Sequence, residues 1–189
     1  TQRSTLFPYT TLFRSHDRAA EKLAFEGFID FLTDRFARDP SMHVYHYASY
    51  EVAAIKRLAG RHGTREDALD ALLRGGVFVD LLQVVRQGVR VGAESYSIKK
   101  IERLYRGARS GAVNTAGDSI VAYHGFIESG EPRDWRRSER LRQIRDYNLD
   151  DCVSTAELVA WLRVRQAEAR IVWKEIGRAS CRERVCYVV

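Results

Sequence analysis

The amino-acid sequence predicts an α/β fold, and three observations carry that reading. Apolar residues recur at helical spacing along most of the chain. Two short runs of β-formers interrupt the helices. The order is helix, strand, helix, strand, helices, with no internal repeat.

Each element has a local reason. From Asp17 to Arg38, Leu23, Phe25, Phe28, Ile29, Leu32 and Phe36 return at three- and four-residue steps, which predicts an amphipathic helix. Asp39-Pro40-Ser41 is a turn. Met42 to Tyr47 is rich in β-formers and predicts a strand. On it, His43 and His46 are expected on one face, with Met42 and Val44 opposite, in packing or hydrogen-bonding roles. Tyr50 to His62 is the next helix, stopped by Gly63, and Glu66 to Arg74 is a short one ended by Gly75-Gly76. Val77-Phe78-Val79 is a buried strand, and Leu81 to Gln87 is helical. Ser97 to Arg106 is predicted helical with Ser97 as N-cap, and Asp118 to Glu128 with Asp118 as its cap. A loop joins these two over Gly107 to Gly117. Arg136 to about Arg170 predicts one or two long helices, interrupted near Asp150-Asp151.

The two ends read differently. Thr5 to Ser15 (TLFPYTTLFRS) and Glu175 to Val185 (EIGRASCRERV) resemble translations of the two strands of a common sequencing-library adapter. Residues 1–15 and 175–189 are therefore expected to be artefact, leaving one domain over 16–174, large enough for a core of its own. The charged residues of these ends supply half of the formal net charge of +6. Cys181 and Cys186 also fall there, so Cys152 alone remains, as a small core residue. That excludes a disulfide framework and suits a reducing, cytoplasmic setting. No signal peptide or membrane span is recognisable.

The chemistry begins at Tyr147 and Asp151. Four residues apart on a helix, they lie one above the other on one face. A carboxylate holds a hard divalent cation, and a phenol one turn away reaches a water on that cation. Two further acids follow strands: Glu51 after His46-Tyr47, opening a helix, and Asp80 after Val77-Phe78-Val79. Acids gathered at strand ends hold cations that stabilise the attacking and leaving oxygens of a phosphoryl displacement. Oxygen ligands favour Mg²⁺ (or Mn²⁺) over a histidine-rich zinc site. Each acid also has a plainer reading. Glu51 suits a first helical turn through the helix dipole, Asp80 suits a cap for the helix from Leu81, and Asp150 stands beside Asp151 as the alternative.

Five blocks occur in order: HVYHYASYE (His43 to Glu51), LLRGGVFVDL (Leu72 to Leu81), SYSIKKIE (Ser95 to Glu102), DSIVAY (Asp118 to Tyr123) and YNLDDCVST (Tyr147 to Thr155). Together they resemble the ribonuclease-H-like domain of RecB-like nucleases of the YprB type. These are DnaQ-like DEDD exonucleases of the subgroup with Tyr in the last motif. The resemblance implies that Glu51 stands where the second acidic motif usually has Asp, and that Asp151 is the final metal-binding acid. It also implies that Tyr147 orients the nucleophilic water and that Asp80 is an acid after the next strand. The family's first motif, Asp-x-Glu on the first strand, occurs nowhere in the chain. The expected domain is thus ribonuclease-H-like and N-terminally truncated, with a helix-rich C-terminal half. The sheet edge beside Met42–Tyr47 is expected to be uncovered.

The resemblance implies metal-dependent hydrolysis of DNA or RNA from 3′ ends, with this fragment inactive for want of the first motif. A RecB-type nuclease region or a helicase would accompany it in the parent chain. The alternative is a non-catalytic nucleic-acid-binding module on the same fold. Arg136, Arg137 and Arg140, in an arginine-rich run just before Tyr147, are candidates for holding phosphates of a single-stranded end, or for a salt-bridged solvent face. Of Tyr45, Tyr47 and Tyr50, at least two are expected in the core and any other free to stack on a base.

Overall fold

The computed structural model describes residues 17–107, 116–170 and 185–187. Residues 1–15, and the 175–189 segment apart from 185–187, lie outside the described residues, so the adapter reading is not addressed there. Helix α1 is Arg18–Arg38, strand β1 His43–His46, α2 Tyr50–His62, α3 Glu66–Arg74, β2 Phe78–Asp80, α4 Leu81–Gly88 and α5 Ile98–Ile101. A 3₁₀ turn, Glu102–Leu104, precedes α6 (Ala116–Ser129), α7 (Glu139–Glu168) and β3 (Val185–Tyr187).

The sheet has the order β2-β1-β3, and both pairings are parallel. Parallel neighbours need a crossover, which α2 and α3 supply between β1 and β2. Helices cover both faces, as parallel strands require. On one face Met42, Val44 and Val77 pack with Phe25, Ile29 and Leu32 of α1, Ile55 and Ala59 of α2, and Leu69 and Leu72 of α3. On the other, Tyr45 packs with Leu81 and Val85 of α4, Ile101 of α5, and Leu158 and Val159 of α7. Helix α6 lies against α7.

Local chemistry sets the ends of these helices. Asp17 caps α1 by accepting from the Ala20 N–H at 2.8 Å. Gly63 closes α2 in the left-handed region at φ 56°, a conformation glycine adopts without steric cost. Ser138 Oγ accepts from the Leu141 N–H at 3.1 Å and caps α7, while donating to Glu131 at 2.5 Å.

Five expectations are corrected. Helix α7 runs unbroken through Asp150-Asp151. No Gly or Pro interrupts it, and the Asp150 side chain is taken by Arg106 rather than competing for the backbone. The helix expected over Ser97 to Arg106 shrinks to α5 and a 3₁₀ turn, and Ser97 makes no side-chain cap bond. Asp118 lies within the first turn of α6, not at its cap. His43 and His46 are on opposite faces, because side chains alternate with period two and three steps separate them. His43 meets the Tyr45 ring edge-on, and His46 meets Phe78. Finally, the β1 edge expected to be open is paired over His43–Tyr45 by β3. An unpaired edge is a template for any available strand, and a segment of the chain's own C-terminal end takes it.

Candidate active site

Parallel strands point their C-terminal ends the same way, and clefts form beyond those ends. Here His46 of β1 is in register with Asp80 of β2. The chain leaves β1 through Ala48, a non-glycine residue at φ 67°. That left-handed bend is costly for alanine and is held from two sides. The Ala48 N–H donates to Asp80 Oδ1 at 2.9 Å, and the Ala48 carbonyl accepts from His46 Nδ1 at 2.6 Å. Because a carbonyl only accepts, His46 carries its proton on Nδ1. Asp80 Oδ1 also accepts from the Leu82 N–H at 2.9 Å, so Asp80 does cap α4. One carboxylate thereby ties both strand exits together.

The bend delivers Glu51 into the first turn of α2. Its side chain is 15% exposed, with Oε2 3.8 Å from His46 Nδ1. Oε2 has no hydrogen-bond partner among the described residues. Burial pushes the Glu51 carboxyl up to about 7; a backbone hydrogen bond opposes this, and the charges of Asp80 and Asp151 add to it. The charges of Asp80 and Asp151, from two other elements, thus reach Glu51 as its smaller influences. They do not form a closed coordination shell: among the described residues, no group of three or more His, Cys, Asp or Glu is placed to hold a metal. The donors are all oxygens, and a buried carboxylate oxygen without a hydrogen bond suits a hard cation.

Asp151 and Tyr147 are both half-buried on α7. Asp150 is the occupied neighbour: Arg106 donates from Nη2 to its Oδ1 at 2.7 Å, and Arg106 Nε lies 3.3 Å from Glu157. A buried network fastens α7 beside this point. Tyr105 OH and Ser154 Oγ are 2.9 Å apart, and Ser154 donates to Glu102 Oε2 at 3.2 Å. Burial pushes the Tyr105 phenol up to about 12. Above the Tyr147 ring stands the Lys99 ammonium, 5.8 Å from the centroid. Sequence reasoning missed Lys99 and Arg106. The first lay within the block SYSIKKIE, but two adjacent lysines gave no local sign of which one turns inward.

The other candidates are dispersed. Arg140 pairs with Glu131, and Arg136 lies 3.7 Å from Asp134 and over the Trp135 ring. Arg137 is exposed, with no ion pair among the described residues. Tyr45 is buried, and Tyr47 donates to the Tyr96 carbonyl at 2.5 Å. Tyr50, 72% exposed, is the remaining one of the three.

A family model described as RNase_H superfamily (RNase_H_2) matches residues 3–163. The chain belongs to the RNase H superfamily. No curated protein and no solved structure matches it significantly. Membership makes this RNase H-like domain nuclease-type, with nucleic acid as the substrate class, and RNase H-like nucleases generally use divalent metals. Among the described residues no helix is long and apolar enough to cross a membrane.

Proposed function

We propose that this is the domain of a metal-dependent 3′–5′ exonuclease of the DnaQ-like, tyrosine-containing kind, of the RecB-like, YprB type. The observation that carries the reading is Glu51 Oε2, buried without a hydrogen bond among the described residues beside the two strand exits that Asp80 ties together. Glu51 and Asp151 would hold Mg²⁺ or Mn²⁺, with Asp80 as a further ligand. The cation would supply charge stabilisation to the phosphoryl oxygens in displacement.

The chain's own groups would do the rest. The Tyr147 hydroxyl, one turn from Asp151, would orient the attacking water by hydrogen bonding. Asp80 would keep the two strand exits in register, so that Glu51 remains aimed inward. Of Arg136, Arg137 and Arg140, Arg137 is the one with no ion pair among the described residues to give up on meeting a phosphate. Because no Asp-x-Glu occurs in the sequence, the acidic set is incomplete, and we propose that this chain binds a cation weakly and does not cleave. The same absence favours a second reading, a nucleic-acid-binding module without catalysis.

Mn²⁺ binding followed by electron paramagnetic resonance tests the site. Glu51→Gln and Asp151→Ala should each weaken binding by tenfold or more, and unchanged binding in both would remove the metal assignment. In a parent protein that carries Asp-x-Glu, Asp151→Ala should abolish Mg²⁺-dependent shortening of a 5′-labelled single strand. An intact parent that lacks both that motif and any cleavage would favour the binding module.

A further inference from the structure

We infer that Lys99 is a phosphate-binding residue of this site, receiving a non-bridging oxygen of a nucleic-acid strand laid against Tyr147. The inference rests on the nuclease reading and deepens it by naming a contact to the substrate backbone.

Lys99 and Lys100 are neighbours in sequence and part company in the fold. Lys100, half-buried like Lys99, has its Nζ 3.3 Å from Glu94 Oε2. Lys99 turns toward α7, is half-buried, and has no ion pair among the described residues. Its ammonium stands over the Tyr147 ring at 5.8 Å, and Tyr147 lies one helical turn before Asp151. The ring face attracts the charge and fixes where the amine sits. It satisfies at most one of the N–H donors that an ammonium carries. The remaining donors stay open to an acceptor beside the Tyr147 ring, one helical turn before Asp151. A cation would answer the negative charge of Glu51, Asp80 and Asp151, whereas Lys99 answers that of the strand. Arg106, the other cation near Asp151, is already engaged by Asp150 and Glu157.

The test is binding of a short fluorescein-labelled oligothymidylate to the full chain, read by anisotropy across a salt series. Lys99→Met keeps the aliphatic stem over the ring and removes one charge. One lost phosphate contact should reduce the slope of log K against log salt by about 0.7, and weaken binding about fourfold at roughly 0.15 M salt. Lys99→Arg should restore both, and Lys100→Met should change neither. Thermal unfolding of Lys99→Met should match the unmodified chain, which separates a lost contact from a lost fold. A Lys99→Met slope equal to that of the unmodified chain overturns the inference while leaving the metal site to its own Mn²⁺ test. Failure of the unmodified chain to bind at low salt overturns the inference and the nucleic-acid reading together.

Discussion

The two faces of the sheet are built to different standards. On the α1–α3 face the core is apolar but for His46 at the end of β1, and several polar groups at its rim are paired. Glu21 accepts from Arg61 at 3.0 Å and lies 2.9 Å from His62 Nε2, Asp30 takes Arg65 through two nitrogens at 2.6 and 2.9 Å, and Glu26 accepts from Thr64 at 2.7 Å. On the α4–α7 face and at the strand exits, polar groups go inside. Glu102 and Ser154 are buried, Glu51 Oε2 lacks a hydrogen bond, and Lys99 lies over a ring with no counter-ion among the described residues. A site that must meet a cation or a phosphate leaves part of its hydrogen-bonding capacity unspent, and the stability for that comes from the opposite face.

Three substitutions sharpen this contrast. Leu32→Ala removes a side chain that is 0% exposed from the apolar face. It should cost about 2–5 kcal/mol in denaturant unfolding, with no specific effect on Mn²⁺ binding per folded molecule. A cost below about 1 kcal/mol would mean that this face is not the scaffold.

Glu51→Gln should act in the opposite direction, and only above about pH 4.5, most of all above pH 7. The carboxyl titrates near 4.5 when unfolded and near 7 when folded. Between those values folding takes up a proton, so stability falls as pH rises from 4.5 to 7 and is level above that. Without divalent cation the full penalty is on the order of 3 kcal/mol. Glu51→Gln should recover much of it at pH ~8 and nothing at pH ~4. Melting curves at the two pH values decide the matter, and an equal difference at both would sink the assigned burial. Saturating Mg²⁺ should raise the melting temperature of the unmodified chain and not that of the variant.

The smallest effect belongs to the rim. Arg65→Ala removes a solvent-exposed pair and should cost no more than about 1 kcal/mol, less in high salt. A loss of several kcal/mol would show that the rim, and not the apolar packing, holds α3 to α1.

Much of the scaffold was legible because its signals are local. Helices α2 and α3 fall where Gly63 and Gly75 stop them, and β1 where β-formers cluster. The errors share a cause in long-range contact. Nothing near His43–Tyr45 in sequence announces that Val185–Tyr187 will pair with it. The expected break at Asp150-Asp151 vanished because Arg106, forty-four residues away, absorbs the Asp150 side chain. The histidine error was one of parity, which side-chain alternation alone settles. In the site, the acids 51, 80 and 151 stood out as acids after strands or on a helix face. The choice of Lys99 over Lys100 depended on where Tyr147 and Glu94 arrive in space.

The pairing of β3 carries a consequence for assembly. Three residue pairs hold it to β1, through backbone groups that do not distinguish one sequence from another. The third strand is therefore held to β1 by backbone direction and register, whatever side chains it carries.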